Sequence, residues 1–245
     1  MYVMIQERGK GAVMFEWLNV MREGVSEAWM PVLQYISRII VPMAEGTIAT
    51  LQVFIITIVL SIPLGLILAL GRISKFKILR DVIGVYIWLL RGTPLMLQLF
   101  FVYYGLPNFG IVFDSMTAAW IAFVLNYAAY FAEIFRGGIQ SIDRGQYEGA
   151  KVLGFTYWQT MRRIILPQVV KRVLSPVSNE AITLVKDTAL VNVIGVGELL
   201  RAAKIAVSRD AVTSPFIVAA VFYLVMTFVL TKLFNYLERR YAIYE

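Results

Sequence analysis

No residue between Glu45 and Arg72 is charged. About 20 apolar residues rising ~1.5 Å each cross a ~30 Å hydrocarbon core, so a stretch of this length predicts a transmembrane helix, placed over 47–70. Pro63 and Gly65 fall inside it. Membrane helices tolerate both when neighbouring helices or Ser and Thr side chains satisfy the freed backbone groups, and here they mark a kink or a packing contact. The rest of the chain carries the same bias: 59% hydrophobic and 16% charged residues, with a mean hydropathy of +0.71, exceed what a soluble domain of 245 residues hides.

Four further crossings follow from the same criterion. The stretch 82–104 holds one charge, Arg91, inside the phrase LRGTPLMLQLF; 117–135 carries Asn126 near its middle and Glu133 near its end; 211–231 lies between Asp210 and Lys232. The stretch 177–200 is broken by Glu180, Lys186, Asp187 and Glu198. Charges at that depth cost several kcal/mol on most scales and persist only facing a bundle interior or a wet cavity, so this crossing is expected to be internal. The fold expected is all-α: a polytopic membrane protein of about five transmembrane helices.

Loop charges set the orientation, because basic loops stay in the cytoplasm. The loop 72–81 has Arg72, Lys75, Lys77 and Arg80, whereas 105–116 has no basic residue. The segment 136–172 holds Arg136, Arg144, Lys151, Arg162, Arg163, Lys171 and Arg172, and the tail holds Lys232, Arg239 and Arg240. The N-terminus is therefore expected outside and the C-terminus in the cytoplasm, with Arg201, Lys204 and Arg209 running against the rule in an outer segment. Three parts result: an N-terminal segment 1–45, a membrane domain 46–235 and a cytoplasmic tail 236–245. In the first, Phe15, Leu18, Val25, Trp29, Val32, Ile36 and Ile39 recur at helical spacings, which predicts an amphipathic helix in the interface or an ordinary packing helix.

The absence of cysteine and histidine removes disulfides, thiol nucleophiles, imidazole bases and most zinc or haem sites. A membrane enzyme would need paired carboxylates or a serine and lysine, and no pair of intramembrane aspartates stands out. The net charge of +7 is spread over several loops instead of forming one patch, which fits cytoplasmic loops and not nucleic-acid binding.

The segment YEGAKVLGFTYWQTMRRIILPQ at 147–168 is different in kind. Asp143 followed by Gln146 caps a first helix, Gly154 ends it, Thr156 with Gln159 caps a second, and Pro167 stops that one near Leu166. Two short helices joined at one glycine, with Phe155, Tyr157 and Trp158 near the joint, suit either docking into a groove on a partner or an amphipathic hairpin on lipid headgroups. The positions Glu148, Gly149, Ala150, Gly154, Ile164, Leu166 and Pro167, at this spacing, resemble the cytoplasmic signature of the permease subunits of bacterial type I ABC importers, which normally begins Glu-Ala-Ala. Gly149 departs from it. The phrases RGTPLMLQLFFVYYGLP at 91–107, LNYAAYFAEIFRGGIQSI at 125–142 and KDTALVNVIGVGEL at 186–199 are similar to the polar amino-acid branch of that family. Together they cover roughly 46–235, with Ala189 where serine is common.

The resemblance implies that 147–168 forms the coupling helix that inserts into an ATPase subunit. It further implies two ATPase subunits carrying ATP and Mg, a second permease copy or a sister chain, an extracytoplasmic amino-acid-binding protein, and a multi-pass position in the bacterial cell membrane. No cofactor is expected on this chain, which lacks a G-x-x-x-x-G-K-[ST] phosphate loop. The alternative is a stand-alone secondary amino-acid carrier; five spans do not divide into the equal halves of an inverted repeat, which counts against it.

An amino acid crossing the membrane needs donors for its carboxylate and acceptors for its ammonium. Gln98, Asn126, Lys186, Asp187 and Glu198 are the polar side chains placed to supply them, with the reservation that Gln98 and Asn126 also suit simple bridging between helices. Lys186 and Asp187 are adjacent and cannot share a face of a regular helix. Arg91 and Glu133 read as structural groups near helix ends.

Overall fold

The computed structural model describes residues 2–241, with side chains from Met30 onward. Every regular element among them is helical. The first helix, α1 (Tyr2–Arg72), carries no break at residue 45, so the N-terminal segment and the first expected span are one helix. Of the expected amphipathic stripe, Phe15, Leu18, Val25 and Trp29 lie outside the residues whose side chains are described; Val32 is exposed, Ile36 half-buried and Ile39 buried. Ile39 and Met43 pack against Leu199, Ala203 and Ala219, so the last turns of this segment serve as a packing helix.

α2 (Lys77–Gly92) and α3 (Leu95–Phe100) occupy the expected second span, but α3 and the tighter and wider turns that continue it to Phe109 are bent 105° from α2. The cause is local. Pro94 has no N–H to continue the ladder and forces the residue before it out of the helical region; Thr93 sits at φ −119°, ψ 145°. α4 (Ser115–Gln140) begins where Asp114 accepts from the amides of Met116 and Thr117; the Thr117 hydroxyl, together with these amides, holds its carboxyl below the usual carboxylate range. It is the centre of the bundle, touching α1, α2 and α3 as well as the later helix α7 (Leu166–Asp187). Small residues allow the close approach: a Cβ on Gly65 of α1 would lie 2.7 Å from Phe131 Cβ.

α5 (Arg144–Val152) and α6 (Tyr157–Thr160) follow, and α6 runs through a wide turn at Met161–Ile165 into α7. Pro167 therefore does not stop the helix as its residue type predicts. The wide turn closes with Leu166 N–H on the Met161 carbonyl, five residues back. The ladder is already shifted where Pro167 would break it, and the proline sits in the first turn of α7, where its missing N–H is tolerated. The expected crossing at 177–200 is likewise interrupted: α7 ends at Asp187, a tight helical turn covers Thr188–Ile194, and Gly195 at φ +88° redirects the chain into α8 (Leu199–Asp210). α9 (Ser214–Tyr241) closes the fold.

Among the described residues, three helices are long and apolar enough to cross a membrane, from Met30–Arg72 of α1, α4 and α9, and the bent pair makes a fourth. α7 has the length for a fifth but carries Glu180, Lys186 and Asp187, and four residues of its buried face, Ala181, Leu184, Val185 and Val177, are packed into the core.

Candidate functional site

The two short helices at 144–160 are built as their caps require. Asp143 accepts from the Gly145 amide at 2.6 Å. Its expected partner Gln146 instead accepts from Gln168 at 3.2 Å, tying α5 to α7. Gly154 lies at φ +76°, with Gly154 N–H on the Lys151 carbonyl and Phe155 N–H on the Ala150 carbonyl, both at 3.0 Å. That pair of bonds is the helix ending that glycine serves best. Thr156 and Gln159 bond each other's amides reciprocally.

The seven signature positions divide by exposure. Glu148, Gly149, Gly154 and Pro167 face outward, while Ala150 is buried and Ile164 and Leu166 pack on the core. Around the joint, Val152, Leu153, Tyr157 and Trp158 are each more than 60% exposed. The result is a rigid projection with an apolar tip, seated in the bundle by Ala150, Met161 and Ile165.

A cavity of about 530 Å³ opens between the α2–α3 bend, α4 and α7. The bend leaves carbonyls without helical partners, and the expected polar residues answer them. Gln98 donates to the Leu90 and Thr93 carbonyls at 2.9 and 3.1 Å, and Asn126 donates to the Leu90 carbonyl and to Gln98 Oε1, both at 3.0 Å. Asn126 also lines the cavity; Gln98 stands behind its wall.

Glu180, Thr183 and Asp187 line the cavity from α7, at spacings of three and four residues that put them on one face. Tyr127 donates to Asp187 at 2.8 Å. Opposite them, Arg91 lies with its guanidinium carbon 5.1 Å from the Tyr130 ring centre and a nitrogen 3.8 Å from Glu133. The cavity thus presents two carboxylates on one wall and a guanidinium on another, a chemical match for a zwitterion.

Lys186 points away and is exposed, as adjacency to Asp187 requires. Glu198 lies outside this cavity: wholly buried, it caps α8 by accepting from the amides of Leu200 and Arg201 at 2.6 and 2.7 Å, and from Tyr223 at 3.1 Å. Glu180, Tyr127, Tyr130 and Thr183 were not among the residues expected from sequence, and Arg91 was read as structural. The spacing of Glu180, Thr183 and Asp187 was the available signal.

A long-helix bundle with a bent second span, a rigid exposed projection and a polar intramembrane cavity defines a membrane permease of the type I ABC importer fold. Residues 61–243 match the family described as binding-protein-dependent transport system inner membrane component, and the chain belongs to that family. It is 41% identical over 201 residues to the probable amino-acid ABC transporter permease protein YckA of Bacillus subtilis (strain 168), covering 82% of this chain and 89% of that one. The arginine transport system permease protein ArtQ of the same organism is 39% identical over 198 residues, covering 80% and 90%. Among solved structures, a chain of an amino acid ABC transporter with histidines superposes with a TM-score of 0.78 at 38% identity, covering 86% of this chain and 98% of that one. A chain of the MetNI methionine ABC transporter shares the fold at a TM-score of 0.65 and 16% identity.

Proposed function

We propose that this chain is the membrane-spanning subunit of an ATP-driven amino-acid importer, and that the cavity between α3, α4 and α7 receives the amino acid. The carrying observation is the facing arrangement of Arg91 with Glu180 and Asp187: the first pairs with a carboxylate, the others with an ammonium, and Asn126 and Thr183 complete the polar lining. Two ATPase subunits hold ATP and Mg, a second permease copy or sister chain completes the pathway, and an extracytoplasmic binding protein delivers the substrate. The N-terminus lies outside and the C-terminus in the cytoplasm, which puts the projection at 144–160 on the ATPase side. There its exposed apolar tip docks in the ATPase, and its movement swings the attached helices between outward and inward openings.

Reconstitution with the ATPase and binding protein in proteoliposomes tests this reading through uptake of L-arginine, L-glutamine and L-cystine. ATP-dependent uptake of at least one is expected; uptake without nucleotide would favour the stand-alone carrier. A second prediction concerns the projection. Gly154→Leu forces a side chain into the left-handed region at a cost of about 1–2 kcal/mol, and Glu148→Arg reverses the charge of an exposed group beside it. Each is expected to cut ATP-driven uptake at least fivefold with normal amounts of the permease in the membrane. Full copurification of the ATPase together with normal substrate-stimulated turnover would contradict the docking role.

A further inference from the structure

We propose that a second cavity, on the far side of Arg91, is a transit station that holds the carboxylate of the amino acid on its way inward; the inference rests on the import reading above. This cavity has a volume of about 390 Å³ and is lined by Arg72 at the end of α1, Gly84, Trp88 and Arg91 of α2, and Glu133 of α4. Its charge balance favours an anion. Glu133 is already engaged by Arg136, which donates to both carboxylate oxygens at 2.9 and 2.6 Å. The more distant Arg91, at 3.8 Å, keeps most of its donors available. Arg72 makes one hydrogen bond among the described residues, a long one of 3.5 Å to the Arg80 carbonyl.

The seat for Arg72 is made by the absence of a side chain. A Cβ on Gly84 would lie 3.2 Å from the Arg72 guanidinium carbon, so glycine lets that group lie flat along α2 on the cavity wall. Two planar guanidiniums facing one space are suited to a carboxylate, which each can grip with paired N–H donors.

Arg91 and Gly92 line both cavities. A carboxylate held by Arg91 beside Glu180 and Asp187 therefore reaches Arg72 without first leaving a guanidinium, while its ammonium gives up the two acids. Ionised groups within a span persist where they face a wet cavity, which is the environment a polar substrate also needs. Arg72 closes α1 at the end expected to face the cytoplasm, so the station lies on the inward side of the first cavity.

The chain contains no cysteine, so a single thiol reports on this space without background. Trp88 lines the cavity and is 73% exposed, and its replacement removes little packing. In Trp88→Cys, assembled with its ATPase and binding protein, the anionic sulfonatoethyl methanethiosulfonate is expected to label at least about tenfold faster than the cationic trimethylammonioethyl reagent, each rate normalised to a free thiol, because Arg72 and Arg91 outweigh a Glu133 already paired with Arg136, and a cleft with an excess of one sign concentrates counter-ions by factors of ten or more. Adding Arg72→Gln should bring the ratio close to one, and saturating L-arginine, L-glutamine or L-cystine, whichever the wild type imports, should slow the anionic reagent. A ratio near one in the Arg72 background, a ratio unchanged by Arg72→Gln, or no protection by the imported amino acid overturns the station.

Uptake supplies a second measure that needs no thiol. Arg72→Gln is expected to lower the maximal rate about tenfold with little change in half-saturation, and Arg72→Lys to regain part of it; an unchanged maximal rate in Arg72→Gln overturns the station. A wild-type complex that imports none of the three amino acids defeats the import reading itself, whereas import without an anion preference at residue 88 defeats the station alone.

Discussion

Replacing Glu180 by glutamine and Asp187 by asparagine together is expected to lower ATP-driven uptake by about thirtyfold or more, with the complex still assembled. Both carboxylates face the cavity from one side of α7, and among the described residues Arg91, across from them, is the one basic group lining it. A hydrogen bond to a charged group contributes about 1.5–3 kcal/mol. Each amide keeps an acceptor but loses the charge, about 1–1.5 kcal/mol for each of the two sites, which at ~1.4 kcal/mol per tenfold amounts to about thirtyfold to a hundredfold. The substitutions preserve shape, and asparagine at 187 still offers an oxygen to the Tyr127 hydroxyl, which bonds Asp187 at 2.8 Å. Lys186→Gln is the matched control: one residue away, exposed and outside the cavity, it should leave uptake within about twofold. Initial rates in proteoliposomes, set against copurification yield, decide the matter. Uptake of the double variant within threefold of wild type would remove α7 from the substrate path.

Much of this site was legible in the chain, and the parts that were not share one cause. Runs without charge located α1, α4 and α9, because the membrane imposes a length and a polarity that no tertiary contact overrides. The caps around Gly154 were legible for a similar reason: Asp143, Gly154, Thr156 and Gln159 act on amides two to five residues away, so sequence distance is spatial distance. Pro167 and Pro94 show where that locality ends. Both remove an N–H, yet one sits after a widened turn and the helix continues, whereas the other marks a 105° bend. The difference lies in the turn before each proline: the wide turn at Met161–Ile165 has already shifted the ladder ahead of Pro167, whereas Pro94 follows a regular helix, and the Leu90 and Thr93 carbonyls are met by Gln98 and, for Leu90, by Asn126 from another helix.

The same bend explains why Arg91 looked structural. Read along an unbroken span, it is one charge among apolar residues; once the chain turns at Thr93, its guanidinium sits between two cavities. Glu198 moves in the opposite direction. Its residue type at that depth suggested ligand chemistry, but Gly195 ends the preceding turn and makes Glu198 the first residue before a new helix, where a carboxylate serves the orphan amides.

That reassignment carries the second large effect. Glu198→Ala is expected to destabilise the chain by about 3–5 kcal/mol, because it removes a fully buried carboxylate that accepts from two backbone amides and the Tyr223 hydroxyl. Glu198→Gln keeps one oxygen for the cap but sets its NH2 against one of the two amides, which should cost about 1–3 kcal/mol. Gly46→Val reaches the same joint from α1. A Cβ there would lie 2.9 Å from the Glu198 carbonyl carbon and 3.0 Å from Leu199 Cα, and since both are backbone atoms the helices must separate to admit it. Membrane yield and the thermal midpoint of the detergent-solubilised complex should fall together in Glu198→Ala and Gly46→Val and fall less in Glu198→Gln. The glutamine variant is the discriminating one. A cap tolerates it with uptake near wild type, whereas a group that pairs with a substrate ammonium does not; full yield with uptake reduced tenfold or more in Glu198→Gln would return this residue to the substrate path.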